Sequence, residues 1–155
     1  MKEKLNIEYI NPFIIGASKV FNSLLKTDLK KGKVTTVDTI DPTHEVIINI
    51  EIAGAMTGFV LYSLSLHTVN KIAEVLVPGI SEEAIRQEYK DIIGEVANMI
   101  TGNAVSLLTD KDIELSTPIV MDKRDFTITG FRKYIALEIK LYSPMGPLEI
   151  CIVVK

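Results

Sequence analysis

An α+β fold, with helices laid on one largely antiparallel sheet, is predicted by three features of the sequence. Apolar residues recur at helical spacing in two long segments, around 12–25 and 81–108. β-Branched stretches with partial two-residue alternation occupy Val46–Ile52 and much of the C-terminal third. Short Gly- and Pro-rich turns separate the candidate strands, as antiparallel neighbours require. With 155 residues, 47% of them hydrophobic, the chain can bury a real core, so a single domain spanning 1–155 is expected.

Each element has a local reason. Asn11 as N-cap and Pro12 as first helical residue predict a first helix from about Pro12 to Leu25, with Phe13, Ile14, Ala17, Val20, Phe21, Leu24 and Leu25 on its buried face. Lys26–Gly32 reads as a polar connection, and Lys30-Lys31-Gly32-Lys33 as a solvated loop able to steer an acidic surface. Val46–Ile52 and Gly58–Leu64 form a predicted hairpin. Ser65 caps a short helix that carries Val69, Ile72, Ala73 and Leu76 and stops at Pro78-Gly79. Ser81 caps a long third helix reaching about Leu108, with Glu82 and Glu83 in the first turn where the helix dipole favours them. Strands are then expected at Phe126–Ile128, Tyr134–Leu141 and Leu148–Val154, the last two joined by a turn at Ser143–Pro147. Asp38–Glu45 reads as a loop between strands.

Composition excludes several function classes. Seventeen Lys and Arg against twenty Asp and Glu give a net charge of −3, and no dense basic cluster offers a footprint for nucleic acid. Mean hydropathy of +0.26 with 24% charged residues places the chain outside the disordered class, and its apolar runs are far shorter than a membrane span, so no membrane partner is expected. The single Cys151 rules out an intrachain disulfide or a thiolate zinc cluster and sits in an apolar strand pattern as a small hydrophobe. Met1-Lys2-Glu3-Lys4 leads into no continuous signal-peptide core, which points to a cytoplasmic protein. His44 and His67 lack partners at metal-ligand spacing, His67 falling in the first turn of the short helix. Ser63 and Ser65 lack a Gly-x-Ser-x-Gly context, and there is no phosphate-binding loop. No convergent set of titratable groups suggests an enzyme of small metabolites.

The informative stretch is Gly94-Glu95-Val96-Ala97-Asn98-Met99-Ile100-Thr101-Gly102 on the third helix. At about 100° per residue, Ile85, Tyr89, Ile92, Val96, Met99, Ile100 and Leu107 share a predicted core face. Asp91, Glu95, Asn98 and Gly102 fall on the other side, with Asn98 nearly opposite the core and Glu95 beside it. A Glu-x-x-Asn pair by itself reads as an ordinary solvated face. Yet asparagine is a poor helix former, and Gly94 and Gly102 each cost about 1 kcal/mol relative to alanine, so something besides propensity has chosen them. Gly102 would leave a bare backbone patch for close approach of another surface; tight helix-to-sheet packing is the alternative that spacing leaves open. An amide can orient a hydrolytic water without titrating, and a neighbouring carboxylate could hold a partner's lysine. That is positioning chemistry on a phosphoryl group carried by another protein.

Together with Asn11-Pro12-Phe13-Ile14, Ile52-Ala53-Gly54-Ala55-Met56-Thr57-Gly58 and Ser116-Thr117-Pro118-Ile119-Val120, this stretch makes the chain resemble, over nearly its whole length, the CheX branch of the CheC/CheX/FliY group of bacterial chemotaxis phosphatases. The resemblance implies a CheC-like fold and an enzyme that accelerates loss of phosphate from the aspartyl-phosphate of the response regulator CheY. It implies that Asn98 positions the attacking water and Glu95 pairs with the regulator's active-site lysine, with Asp91 and Gly102 as further partner-binding candidates. It also implies a homodimer with extended sheet contacts, no cofactor on this chain, and a Mg2+ ion that belongs to the regulator. Val120-Met121-Asp122-Lys123-Arg124 departs from the group, whose members tend to have a glycine there. CheC-type members carry the signature twice, and Glu8-Tyr9-Ile10-Asn11 repeats the spacing here. Pro12 nevertheless places Asn11 at a predicted cap, so Asn11 is read as structural and one active centre per subunit is expected. The alternative class is a non-catalytic adaptor that binds a response regulator or the flagellar switch.

Overall fold

The computed structural model describes residues 2–108, 112–126 and 135–154, among which seven strands join into one sheet. In chain order the elements are α1 (Lys2–Ser23), β1 (Lys30–Val37), β2 (Val46–Gly54), β3 (Gly58–Leu64), α2 (Leu66–Leu76), α3 (Glu82–Ser106), β4 (Ile113–Leu115), β5 (Ile119–Asp122), β6 (Ile135–Ser143) and β7 (Gly146–Val154). The sheet order is β1-β6-β7-β3-β2, and β4 and β5 pair in succession along the outer side of β2 to complete that edge. Every one of these pairings is antiparallel, so the predicted α+β class holds.

Strand alternation sends two sets of side chains to opposite faces. Ile48, Ile50, Val60, Tyr62, Ile139 and Ile150 meet Phe13, Phe21, Ile72, Ile93 and Ile100 of the three helices in the main core. Ile47, Leu61, Ala136, Cys151 and Val153 form a smaller apolar cluster on the other face, with Ile40 and Phe126 packed against it. The loop before β2 is tied down there: the backbone N–H and hydroxyl of Thr43 donate to the buried Glu149 carboxylate at 3.2 and 2.5 Å, and the N–H of His44 donates to Ser63 Oγ at 2.9 Å. Coverage on both faces explains why β2 opens on three consecutive buried apolar residues, Val46–Ile48, before it alternates.

Two of the three predicted N-caps, Ser65 and Ser81, form. The Ser65 and Ser81 hydroxyl oxygens each accept an N–H three residues on, from Thr68 and Ala84, at 3.1 Å. The short helix ends at Val77, and Gly79 follows with φ of +83°, a left-handed conformation that glycine adopts without steric cost. The turn predicted at Ser143–Pro147 narrows to Pro144-Met145 between β6 and β7.

Several features depart from the sequence reading or lie beyond it. α1 does not begin at Pro12 but runs through it from Lys2. Proline lacks the N–H that would bond the carbonyl of Glu8, a local penalty of about 3 kcal/mol. The turn ahead of it buries Tyr9 in the main core, and this tertiary contact carries the helix past the proline. Lys30–Lys33 is no loop but the start of β1, an edge strand without a fully buried side chain and therefore without a periodicity to read. Its lysines suit an edge, where charge discourages pairing with other chains. β4 and β5, of 3 and 4 residues, are too short to carry a pattern, and the divergent Val120–Arg124 stretch is the end of β5 and a 3-10 turn capped by Asp122. Phe126 closes that turn, and the remainder of its predicted strand, like Tyr134, lies outside the described residues.

One buried contact fixes α3 against the sheet. The Thr101 hydroxyl donates to the Ala97 carbonyl at 2.7 Å, so the Tyr62 hydroxyl, 2.6 Å away, is the donor to Thr101. Burial pushes the Tyr62 hydroxyl far above the ordinary tyrosine range, which keeps it protonated as that donor. Thr101→Val should destabilise more than Tyr62→Phe in urea unfolding. The first leaves a buried hydroxyl unpaired, at about 1–3 kcal/mol, whereas the second removes one hydrogen bond worth about 1 kcal/mol.

Candidate functional site

α3 lies with α1 on one flank and the Ser116–Val120 segment near the other. Its buried stripe is Ile85, Ile93, Gly94, Val96, Ala97, Ile100, Thr101 and Ala104. This shifts the predicted core face: Tyr89, Ile92 and Met99 are half-buried flanks, and Leu107 is 41% exposed. Small residues occupy the centre because backbones meet there. A Cβ on Gly16 of α1 would stand 2.8 Å from the Ile100 carbonyl oxygen and 3.0 Å from the Ala104 nitrogen, so α1 crosses α3 at a glycine that apolar periodicity passes over.

Opposite that stripe stand the predicted site residues. Asp91, Glu95 and Gly102 are exposed and Asn98 is half-buried, all on one ridge about 16 Å long at 1.5 Å per residue. Glu95 and Asn98 are one turn apart, with Cβ atoms about 5–6 Å from each other. Among the described residues, no hydrogen bond or ion pair engages the side chain of Asp91, Glu95 or Asn98. Their polar atoms are therefore available to an outside partner.

The two glycines of the stretch divide the alternatives that the sequence leaves open. Gly94 is buried, and a Cβ there would touch Val120 at 3.4 Å and Pro118 at 3.7 Å, which makes it a packing position beneath the edge of the sheet. A Cβ on Gly102 would meet nothing within 4 Å. Among the described residues no packing calls for a glycine at 102, and it leaves backbone bare one turn beyond Asn98.

Asn11 is not at a cap. Because α1 continues through Pro12, Glu8 and Asn11 lie on a helical face with the spacing of Glu95 and Asn98 on α3; both are exposed, whereas Asn98 is half-buried. The likeness ends one turn later: Ile15, 46% exposed, stands where α3 has Gly102, so a bulky side chain projects where α3 offers bare backbone. The remaining chemical candidates are inert by placement. Cys151 is buried, and desolvation with the nearby Glu138 and Glu149 carboxylates pushes its thiol up to about 12, far from a reactive thiolate. Burial and then the charge of Glu149 raise Glu138. Among the described residues no three His, Cys, Asp or Glu side chains group to hold a metal ion, and no helix is long and apolar enough to cross a membrane.

A family model described as chemotaxis phosphatase CheX matches residues 46–140. Over 141 residues, 90% of this chain and 91% of the relative, the sequence is 26% identical to the CheY-P phosphatase CheX of Thermotoga maritima. The fold is similar to that of the chemotaxis protein CheX from Desulfovibrio desulfuricans, with a TM-score of 0.82 at 20% identity over 96% of this chain and 99% of that one. It is also similar to a chain of the CheX-CheY-BeF3-Mg2+ complex from Borrelia burgdorferi, with a TM-score of 0.74 at 22% identity over 95% and 97%.

The glycines respond differently to a methyl group. Gly102→Ala should raise stability by about 1 kcal/mol, the helix-propensity gain, because the space is open. Gly16→Ala should lower the melting temperature, because its methyl meets the α3 backbone. Thermal unfolding of the two variants checks the assignment.

Proposed function

The chain belongs to the chemotaxis phosphatase CheX family, and from that premise we propose that it hydrolyses the aspartyl-phosphate of a CheY-type response regulator, with Asn98 and Glu95 as its working residues. The observation that carries this reading is the α3 ridge, where an amide and a carboxylate lie one turn apart without intrachain partners, followed by the bare backbone of Gly102. The regulator supplies the phosphoryl group, the lysine and the Mg2+ ion that balance its charge. The α3 ridge seats beside the phospho-aspartate. Asn98 accepts a hydrogen bond from a water molecule and holds it in line with the phosphorus, so that the new P–O bond forms as the bond to the aspartate carboxylate breaks. Glu95 pairs with the regulator's lysine and fixes the register of the two surfaces, while Asp91 extends the acidic ridge one turn further. A centre of this kind needs no nucleophile or metal of its own.

Gly102 lets the regulator approach closely enough for this geometry. Ile15 denies the same approach on α1, which supports one centre per subunit despite the exposed Glu8 and Asn11. A homodimer built through sheet contacts would use one of the two open edges, β1 or the β4–β5 side of β2.

In a phosphate-release assay with a magnesium-bound phospho-regulator, Asn98→Ala should slow turnover roughly a hundredfold or more while complex formation persists. Glu95→Ala should lower kcat/KM mainly through binding, Gly102→Ala should lose activity in spite of its greater stability, and Asn11→Ala should retain activity. An Asn98→Ala protein that folds, binds and still dephosphorylates would overturn the mechanism. If neither the native chain nor Asn98→Ala changes the phosphate lifetime while both bind, the chain is an adaptor. Light scattering after size exclusion should give twice the monomer mass if the dimer forms.

A further inference from the structure

Beside the ridge, α1 and α3 leave a groove of about 380 Å³ lined by Lys19, Val20, Ser23 and Leu24 of α1 and Met99, Gly102 and Asn103 of α3. Resting on the function proposed above, we infer that this groove seats an apolar side chain of the same phosphorylated regulator, and that Lys19 pairs with an acidic group next to it, so that the groove sets the direction in which the regulator docks.

Continuity comes first. Gly102 belongs both to the ridge and to the groove wall, and with nothing within 4 Å of its missing Cβ the ridge opens sideways into the groove. Asn98 is only one helical turn away, about 6 Å along α3. A partner surface that brings its phosphoryl group to Asn98 therefore overhangs this opening.

The lining defines the occupant. Val20 is buried and forms an apolar floor, Leu24 presents an apolar side chain that is 39% exposed, and the half-buried Met99 is a flexible, polarizable wall able to adjust to a guest. The Ser23 hydroxyl already donates to the Lys19 carbonyl at 2.7 Å, so covering it leaves no donor unpaired. The volume is within the range of pockets that take a specific group.

Charge fixes the orientation. Lys19 is the one charged side chain among the lining residues, whereas the ridge carries the carboxylates of Asp91 and Glu95. A partner with a cation at Glu95 and an anion at Lys19 fits in one direction only; reversed, it would place like charges against each other at both ends.

The test uses the full chain and a CheY-type regulator of the same genome, charged with acetyl phosphate in Mg2+, with kcat and KM measured separately. Lys19→Glu, an exposed change, should raise KM about fivefold at low salt, and the effect should shrink at high salt. Ser23→Trp fills the groove and should raise KM at least as much at any salt concentration. In both variants kcat and the melting temperature should stay within error of the native protein. KM values unchanged in both variants, while Asn98→Ala abolishes turnover, would overturn the groove and leave the catalytic reading standing. Activity that survives Asn98→Ala would overturn the catalytic reading, and the groove proposal with it.

Discussion

The hydrogen-bond chain from the Tyr62 hydroxyl through Thr101 to the carbonyl of Ala97 determines which way α3 faces. Asn98 follows Ala97 and Gly102 follows Thr101, and successive helical residues are rotated by about 100°. Holding Ala97 and Thr101 against β3 therefore turns Asn98 and Gly102 away from the sheet. A polar anchor suits this task better than apolar packing alone, because a hydroxyl buried without a partner penalises any other setting of the helix. Gly16 supplies the complementary restraint by letting α1 lie directly on the backbone of α3 at Ile100 and Ala104.

The surface that results is a solvent-facing ridge rather than a pocket. Asp91, Glu95 and Asn98 project from a rigid helix whose other side is locked into the core, which is the arrangement that positioning chemistry requires. Buried Glu149 and Cys151 lie elsewhere, on the far face of the sheet: Glu149 is engaged by Thr43 in holding down a loop, and Cys151 is held protonated by its surroundings. α1 shows how little separates the proposed site face of α3 from another helical face. It displays Glu8 and Asn11 with the same spacing as the α3 pair, and differs in carrying Ile15 where α3 carries Gly102.

Much of this was legible in the sequence because it is local. Ser65 and Ser81 cap helices through contacts three residues away, Pro78-Gly79 stops one, and β-branched alternation marks β2, β3 and β7. Glu95 and Asn98 could be placed on the solvent side of α3 from its period alone. Other features depend on what lies across the fold. β1 is held by its pairing with β6 rather than by any pattern of its own, and β4 and β5 exist only because β2 offers them an edge. α1 passes through Pro12 because burial of Tyr9 outweighs a local preference that the sequence displays openly. The core face of α3 was drawn through its large apolar residues, whereas its centre is made of Ala97, Thr101 and Ala104, small where another backbone comes near.

The sequence by itself therefore determined the fold class, the caps at Ser65 and Ser81 and the presence of an amide and a carboxylate on the solvent side of one helix, since each follows from interactions within a few residues. The tertiary structure alone decided that Gly94 is a packing residue and Gly102 an open step, that Asn11 stands on a helix rather than at its end, and that α1 and α3 enclose a groove beside Asn98. The two glycines have the same intrinsic preferences; what distinguishes them is whether a Cβ there would touch Val120 and Pro118 or would meet only solvent.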